Sequence, residues 1–129
     1  MIASVKTADG VALVDLDEES LVALEPDAPF EPAAPPTVSL PLLVAAAAAG
    51  STVVAVVDTK PPIAVSHDAG ATWRESGRGL PPGRAIAIAA DDPDVLLYAT
   101  RNGLYVSRDG GRFWRSLALE LPEIEAVAL

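Results

Sequence analysis

A stretch that returns at a fixed interval limits a fold more than any composition does, and here SHDAGATW at residues 66–73 returns as SRDGGRFW at 107–114. Ser66, Asp68, Gly70 and Trp73 recur at Ser107, Asp109, Gly111 and Trp114, each displaced by 41 residues. The offset extends outward from the octet: Thr59 maps onto Thr100, TVVAVV of 52–57 onto PDVLLY of 93–98, and AIAI of 85–88 onto AVAL of 126–129. Self-similarity at this period marks a supersecondary unit that cannot bury its apolar face alone and must stack on copies of itself.

Each unit breaks into short apolar or alternating runs separated by turn chemistry. In the last unit these are RAIAIA, DDPD, VLLYAT, RNG, LYVS, RDGG and RFWRSLALE. Runs of four to eight residues rich in Val, Ile, Leu and aromatics, bounded by Gly, Pro, Asn and Asp, predict strands. Four strands in about forty residues is the spacing of one four-stranded antiparallel propeller blade. AAAAAG at 45–50 has high helix propensity, but the 41-residue register sets it against AIAIAA and predicts an inner strand.

Within the octet, Gly70, Gly110 and Gly111 can adopt the positive φ of a tight turn, and the Asp carboxylate can accept backbone N–H bonds across it. The Trp opening the returning strand supplies a large surface for packing between sheets. Nothing in this pattern needs a substrate, so the octet reads as a strand–turn–strand hairpin.

Ser66, Asp68, Gly70, Thr72 and Trp73 together spell S-x-D-x-G-x-T-W, which resembles the Asp-box of the BNR repeat in sialidase-like, sortilin-like and photosystem-assembly-factor-like β-propellers. The second copy keeps Ser107, Asp109, Gly111 and Trp114 and departs at Phe113, where the Thr hydroxyl is missing. The resemblance implies an all-β propeller whose Asp-boxes lie on the hairpin between the third and fourth strands, away from the ligand face, in a structural role. It extends best over residues 42–129.

The first segment joins by a larger offset. IASVKTADGVALV of 2–14 aligns with VLLYATRNGLYVS of 95–107 at 93 residues, two periods of 41 plus 11. The proline-rich EPDAPFEPAAPP of 25–36 absorbs the extra residues as an extended connection. In this frame the chain starts at a second strand and EAVAL aligns with a first strand. One propeller-type domain, 1–129, is therefore expected: blade one from 1–40 plus 123–129 as a displaced first strand, blade two from 41–83, blade three from 84–122.

Three blades fall short of the four to eight that make a ring. A homodimer related by a two-fold axis supplies six, with Glu125–Leu129 of each chain completing the partner's first blade. A piece of a longer protein, or a monomeric sandwich, are the other readings of the count.

Composition bears on partners. Nine basic against eighteen acidic residues, a formal charge of −9, disfavour nucleic acid and anionic membranes. There is no cysteine for disulfides or thiolate metal sites. MIASVKTADG lacks the basic and apolar regions of a signal peptide, and Leu40–Gly50 is far shorter than the roughly twenty residues of a membrane helix, so a soluble, cytoplasmic protein is expected.

Catalytic and metal candidates are sparse. His67 is the lone histidine and sits on a turn, and Asp91, Asp92 and Asp94 lack EF-hand spacing, so no metal and no cofactor are expected. No Arg-Ile-Pro motif of a sialidase occurs, and a Ser-His-Asp triad would have to use His67. The expectation is no enzyme. If a ligand face exists it carries the loops opposite the octets, where Lys60, Arg84, Arg101 and Asn102 would gather. An anion or acidic-peptide pocket and ordinary loop charge are both open there. The function expected is a protein-interaction or scaffold module, and the alternative is a small-ligand or carbohydrate-binding, lectin-like propeller.

Overall fold

The computed structural model describes residues 1–129 as twelve strands and no helix. These are β1 (Ile2–Thr7), β2 (Gly10–Asp15), β3 (Ser20–Glu25), β4 (Leu43–Ala49), β5 (Thr52–Val57) and β6 (Ile63–Ser66). They continue as β7 (Arg74–Ser76), β8 (Ala85–Ala89), β9 (Asp92–Ala99), β10 (Leu104–Ser107), β11 (Arg115–Ser116) and β12 (Ile124–Ala128). The alanine-rich run is strand β4, because Ala45, Ala47 and Ala49 pack on a neighbouring sheet and tertiary burial overrides helix propensity. No helix is long and apolar enough to cross a membrane.

The strands form three four-stranded antiparallel sheets. The middle sheet runs β4-β5-β6-β7, the C-terminal sheet β8-β9-β10-β11, and the N-terminal sheet β12-β1-β2-β3. In the last, Val5 faces Val127 and Lys6 faces Ala126, so the final strand is an edge beside the first. The sequence reading gave that strand to a partner's sheet; in the single chain it pairs with β1 of its own chain.

The sheets stack with the C-terminal one between the other two. Ala85, Ala87, Val95, Leu97, Leu104 and Val106 of its one face pack on Ala3, Val5, Ala12, Val14 and Val127. Its opposite face carries Ile86, Ile88, Leu96 and Tyr98, which pack on Val54, Val56, Ile63 and Val65. Strands buried on both faces lose polar alternation, as AIAIA of β8 and VLLYA of β9 do. The first-in-line strands β4, β8 and β12 lie side by side, with β8 between.

This order requires residues 26–42 to run from β3 back past the C-terminal sheet to β4. Seventeen residues in a polyproline-like conformation reach roughly 50 Å, ample for two sheet spacings of about 10 Å each.

Two runs behave differently from their sequence reading. RFWRSLALE pairs only at Arg115 and Ser116. Its first amides bond to Asp109, and Leu117 and Leu121 turn inward to be buried. DDPD is part strand, since β9 begins at Asp92 and pairs it with Ala89 across a bulge.

Candidate functional site

The octets occupy the β6–β7 and β10–β11 turns and carry the densest side-chain hydrogen bonding in the chain. Ser66 donates its hydroxyl to Asp68 Oδ1 at 2.7 Å and accepts the Gly70 amide at 2.8 Å. Asp68 Oδ1 accepts the Thr72 amide at 2.9 Å, and Oδ2 accepts the Thr72 hydroxyl at 2.5 Å. The second octet repeats the pattern: Ser107 donates to Asp109 Oδ1 at 2.8 Å, Gly111 N donates to Ser107 Oγ at 2.9 Å, and Phe113 N donates to Asp109 Oδ1 at 3.0 Å. The Thr72 hydroxyl bond has no counterpart, as the Phe113 departure implies, nor has the 3.3 Å bond from Asp68 N to Ser66 Oγ.

Gly70 and Gly111 hold φ of 91° and 89°, a left-handed region open to glycine at little steric cost. The residue before each is also left-handed, Ala69 at 58° and Gly110 at 72°.

These bonds all favour the charged carboxylate. The Thr72 hydroxyl first, then Ser66 and the Thr72 amide, hold Asp68 down at about 2. The Phe113 amide first, with Ser107 helping against slight desolvation, holds Asp109 below the usual range. A carboxylate depressed in the folded state adds stability above its unfolded value near 3.8, and that stability is lost as pH falls toward 2. Thermal melts between pH 4 and pH 2 are therefore expected to fall steeply, and more shallowly in an Asp68→Asn/Asp109→Asn variant. Equal slopes would mean the octet carboxylates are not what acid attacks.

The second octet also joins two sheets. Trp114 donates its indole N–H to Ser76 Oγ at 2.9 Å, Ser76 donates onward to the Gly111 carbonyl, and Arg74 donates to the Gly110 carbonyl at 3.2 Å. Trp114 also meets Tyr98 edge-on at 5.9 Å. Burial pushes the Tyr98 phenol up to about 12, consistent with a neutral hydroxyl donating to the Pro81 carbonyl at 2.7 Å. Ser76 and Tyr98 lie outside the octet, and only their spacing from Trp114 across the repeat could have marked them.

On the opposite rim, the loops bring together three of the four basic and polar candidates. Arg84 and Arg101 both pair with Glu123 Oε1, at 3.0 and 3.2 Å. Arg84 also donates to the Ile124 carbonyl at 3.3 Å, and Asn102 donates to the Leu121 carbonyl at 3.3 Å. The cluster thus fastens the approach to β12. Its ion pairs are largely exposed and contribute little stability, on the order of 1 kcal/mol or less each. Glu123 was not foreseen as the shared partner, since nothing in LPEIE marks it apart from its neighbours.

Arg84, Arg101 and Asn102 line a cavity of about 430 Å³ with Pro81, Pro82 and Thr100. Lys60 stands apart, in an adjoining concavity of about 360 Å³ with Arg78 and Pro61. Pro81 and Pro82 form the wall between the two. A third, apolar cavity of about 580 Å³ separates Glu31–Pro35 of the proline-rich connection from the alanines of β4 and β8 and from β12.

No group of three or more His, Asp or Glu side chains is arranged to hold a metal ion. His67 is exposed, with its Nδ1 3.5 Å from the Thr52 hydroxyl. Asp92 accepts the Asp94 amide at 3.3 Å, so this acidic run shapes its own turn. No protein-family model matches the chain, and no curated protein matches it.

Proposed function

We propose that the chain is a non-enzymatic scaffold or protein-interaction module, built as three blades of an Asp-box β-propeller whose ring a second copy completes. The observation carrying this reading is that the Ser, Asp and Thr side chains of the octets bond within their own turns. Ser66, Asp68 and Thr72 bond to one another and to turn amides, and Ser107 and Asp109 do likewise. A nucleophile or general base must present a free lone pair or proton to a substrate, and these groups are engaged within their own turns.

A lectin-like reading draws on the cavity beside Arg84, Arg101 and Asn102, which could take an acidic small molecule or glycan. Against it, Glu123 already neutralises part of that charge, and no aromatic side chain lines the cavity for a sugar to stack on. A glycan array covering acidic and neutral sugars separates the readings. No binding above background is expected; binding abolished by Arg84→Ala/Arg101→Ala would overturn the scaffold reading in favour of a ligand-binding propeller.

A further inference from the structure

The stack of sheets has a direction. Residues related by the repeat superpose as two kinds of face. Val54 and Val56, Val95 and Leu97, and Ile2 and Ser4 occupy one kind, called here the front. At both joints within the chain, the front of one sheet meets the opposite kind, the back, of the next: the middle sheet's front on Leu96 and Tyr98, and the C-terminal sheet's front on Ala3 and Val5. One front and one back remain without a neighbour. The free front belongs to the N-terminal sheet and the free back to the middle sheet.

Both carry the marks of a joint. On the free front, Ile2 is 49% exposed although its equivalents Val54 and Val95 are buried. Leu13 of β2 shares that face and is half-buried where its equivalents Val65 and Val106 are buried, whereas Val11 beside it is already covered. On the free back, Leu43 is 40% exposed opposite Val57, the repeat equivalent of Tyr98, and Trp73 occupies the position from which Trp114 reaches across to Ser76. The centre of this back face, Val53 and Ala55, is buried already, so Leu43 and Trp73 form its available apolar surface. Exposed apolar side chains concentrated on particular faces mark interaction sites.

We propose that the free front of the N-terminal sheet docks on the free back of the middle sheet of a second copy, so that two identical head-to-tail joints close six sheets. The inference rests on the ring reading above and specifies its contact. The occupant is a second copy because the counterpart of each free face is on this same chain, in the geometry that both internal joints repeat. The chain cannot satisfy itself, since its own C-terminal sheet stands between the two free faces and three sheets are too few to close. Two copies leave no face uncovered, and a third would take the ring to nine sheets, beyond the usual range.

Two single substitutions block one face each: Ser4→Arg in the middle of the free front, and Leu43→Arg on the free back. Light scattering on the wild type is expected to give a two-chain particle, while each variant alone gives a single chain. Mixing the two variants is expected to restore a two-chain particle held by one joint, because the intact back of one meets the intact front of the other while the joint carrying both arginines stays open. Circular dichroism of each variant confirms the fold before mixing. A two-chain wild type whose folded variants each remain two-chain would overturn this joint and leave the ring reading to another contact. So would a mixture of folded variants that stays single-chain. A single-chain wild type would overturn the ring reading itself. If either variant unfolds, Ile2→Lys and Leu43→Lys, both at half-exposed positions, carry the same test.

Discussion

Replacing Tyr98 by alanine is expected to lower the melting temperature by roughly 10 to 20 °C, the largest single-residue effect in this chain. Tyr98 is fully buried where the C-terminal and middle sheets meet. Its ring lies 6.1 Å from that of Tyr105 and 5.9 Å from that of Trp114. Truncating a large buried aromatic costs about 3–5 kcal/mol, because transfer energy is lost and the cavity fills incompletely. A domain of this size loses about 3–5 °C per kcal/mol. Tyr98→Phe keeps the ring and removes only the hydroxyl bond to Pro81, so it should cost about 1 kcal/mol. Thermal denaturation of the pair checks both numbers, and equal losses would mean that the hydroxyl, not the ring, holds the joint.

Gly83→Ala is expected to destabilise by about 1–3 kcal/mol through the same side chain. Gly83 has no unusual backbone angle; its constraint is space, because a Cβ there would overlap Cε1, Cζ and Oη of Tyr98. The ring must leave its rotamer or the 81–84 loop must retreat, and either movement breaks the bond to Pro81. The two positions therefore couple. In a Tyr98→Ala background the same Gly83→Ala change should cost almost nothing, since the atoms it strikes are gone. Additive losses in a double-mutant cycle would show that Gly83 serves the loop backbone instead.

Neither effect was visible in the sequence, although most of the strands were. The repeat located them because turn residues and apolar runs are local signals: RAIAIA and LYVS each became a strand within a residue of their expected ends, and VLLYAT became one that begins three residues earlier, at Asp92. The octet's internal hydrogen bonds were equally local, since a Ser, an Asp and a glycine within five residues of one tight turn lie within reach of one another. The Tyr98–Gly83 contact depends on how a loop returns across a sheet, and Glu123 between two arginines depends on three loops distant in sequence meeting at one rim. No periodicity encodes such meetings.

RFWRSLALE misled because it is apolar enough for a strand, yet Asp109 holds the amides of Arg112 and Phe113 and Leu117 and Leu121 turn into the core. The order of the sheets was also beyond reach. The length of residues 26–42 permits the N-terminal sheet to sit beyond the C-terminal one, and strand β12 selects that place by pairing with β1.

The low-pH dependence of the octets and the two substitutions at the Tyr98 joint concern a single chain. The proposed function concerns two. With both internal joints built from a front and a back, and one of each left over, the account makes a two-chain particle its central consequence.

Sedimentation equilibrium of the unmodified chain tests this most directly: twice the chain mass of 13.3 kDa is the expected result across the micromolar range, and a stable particle of one chain mass would contradict it.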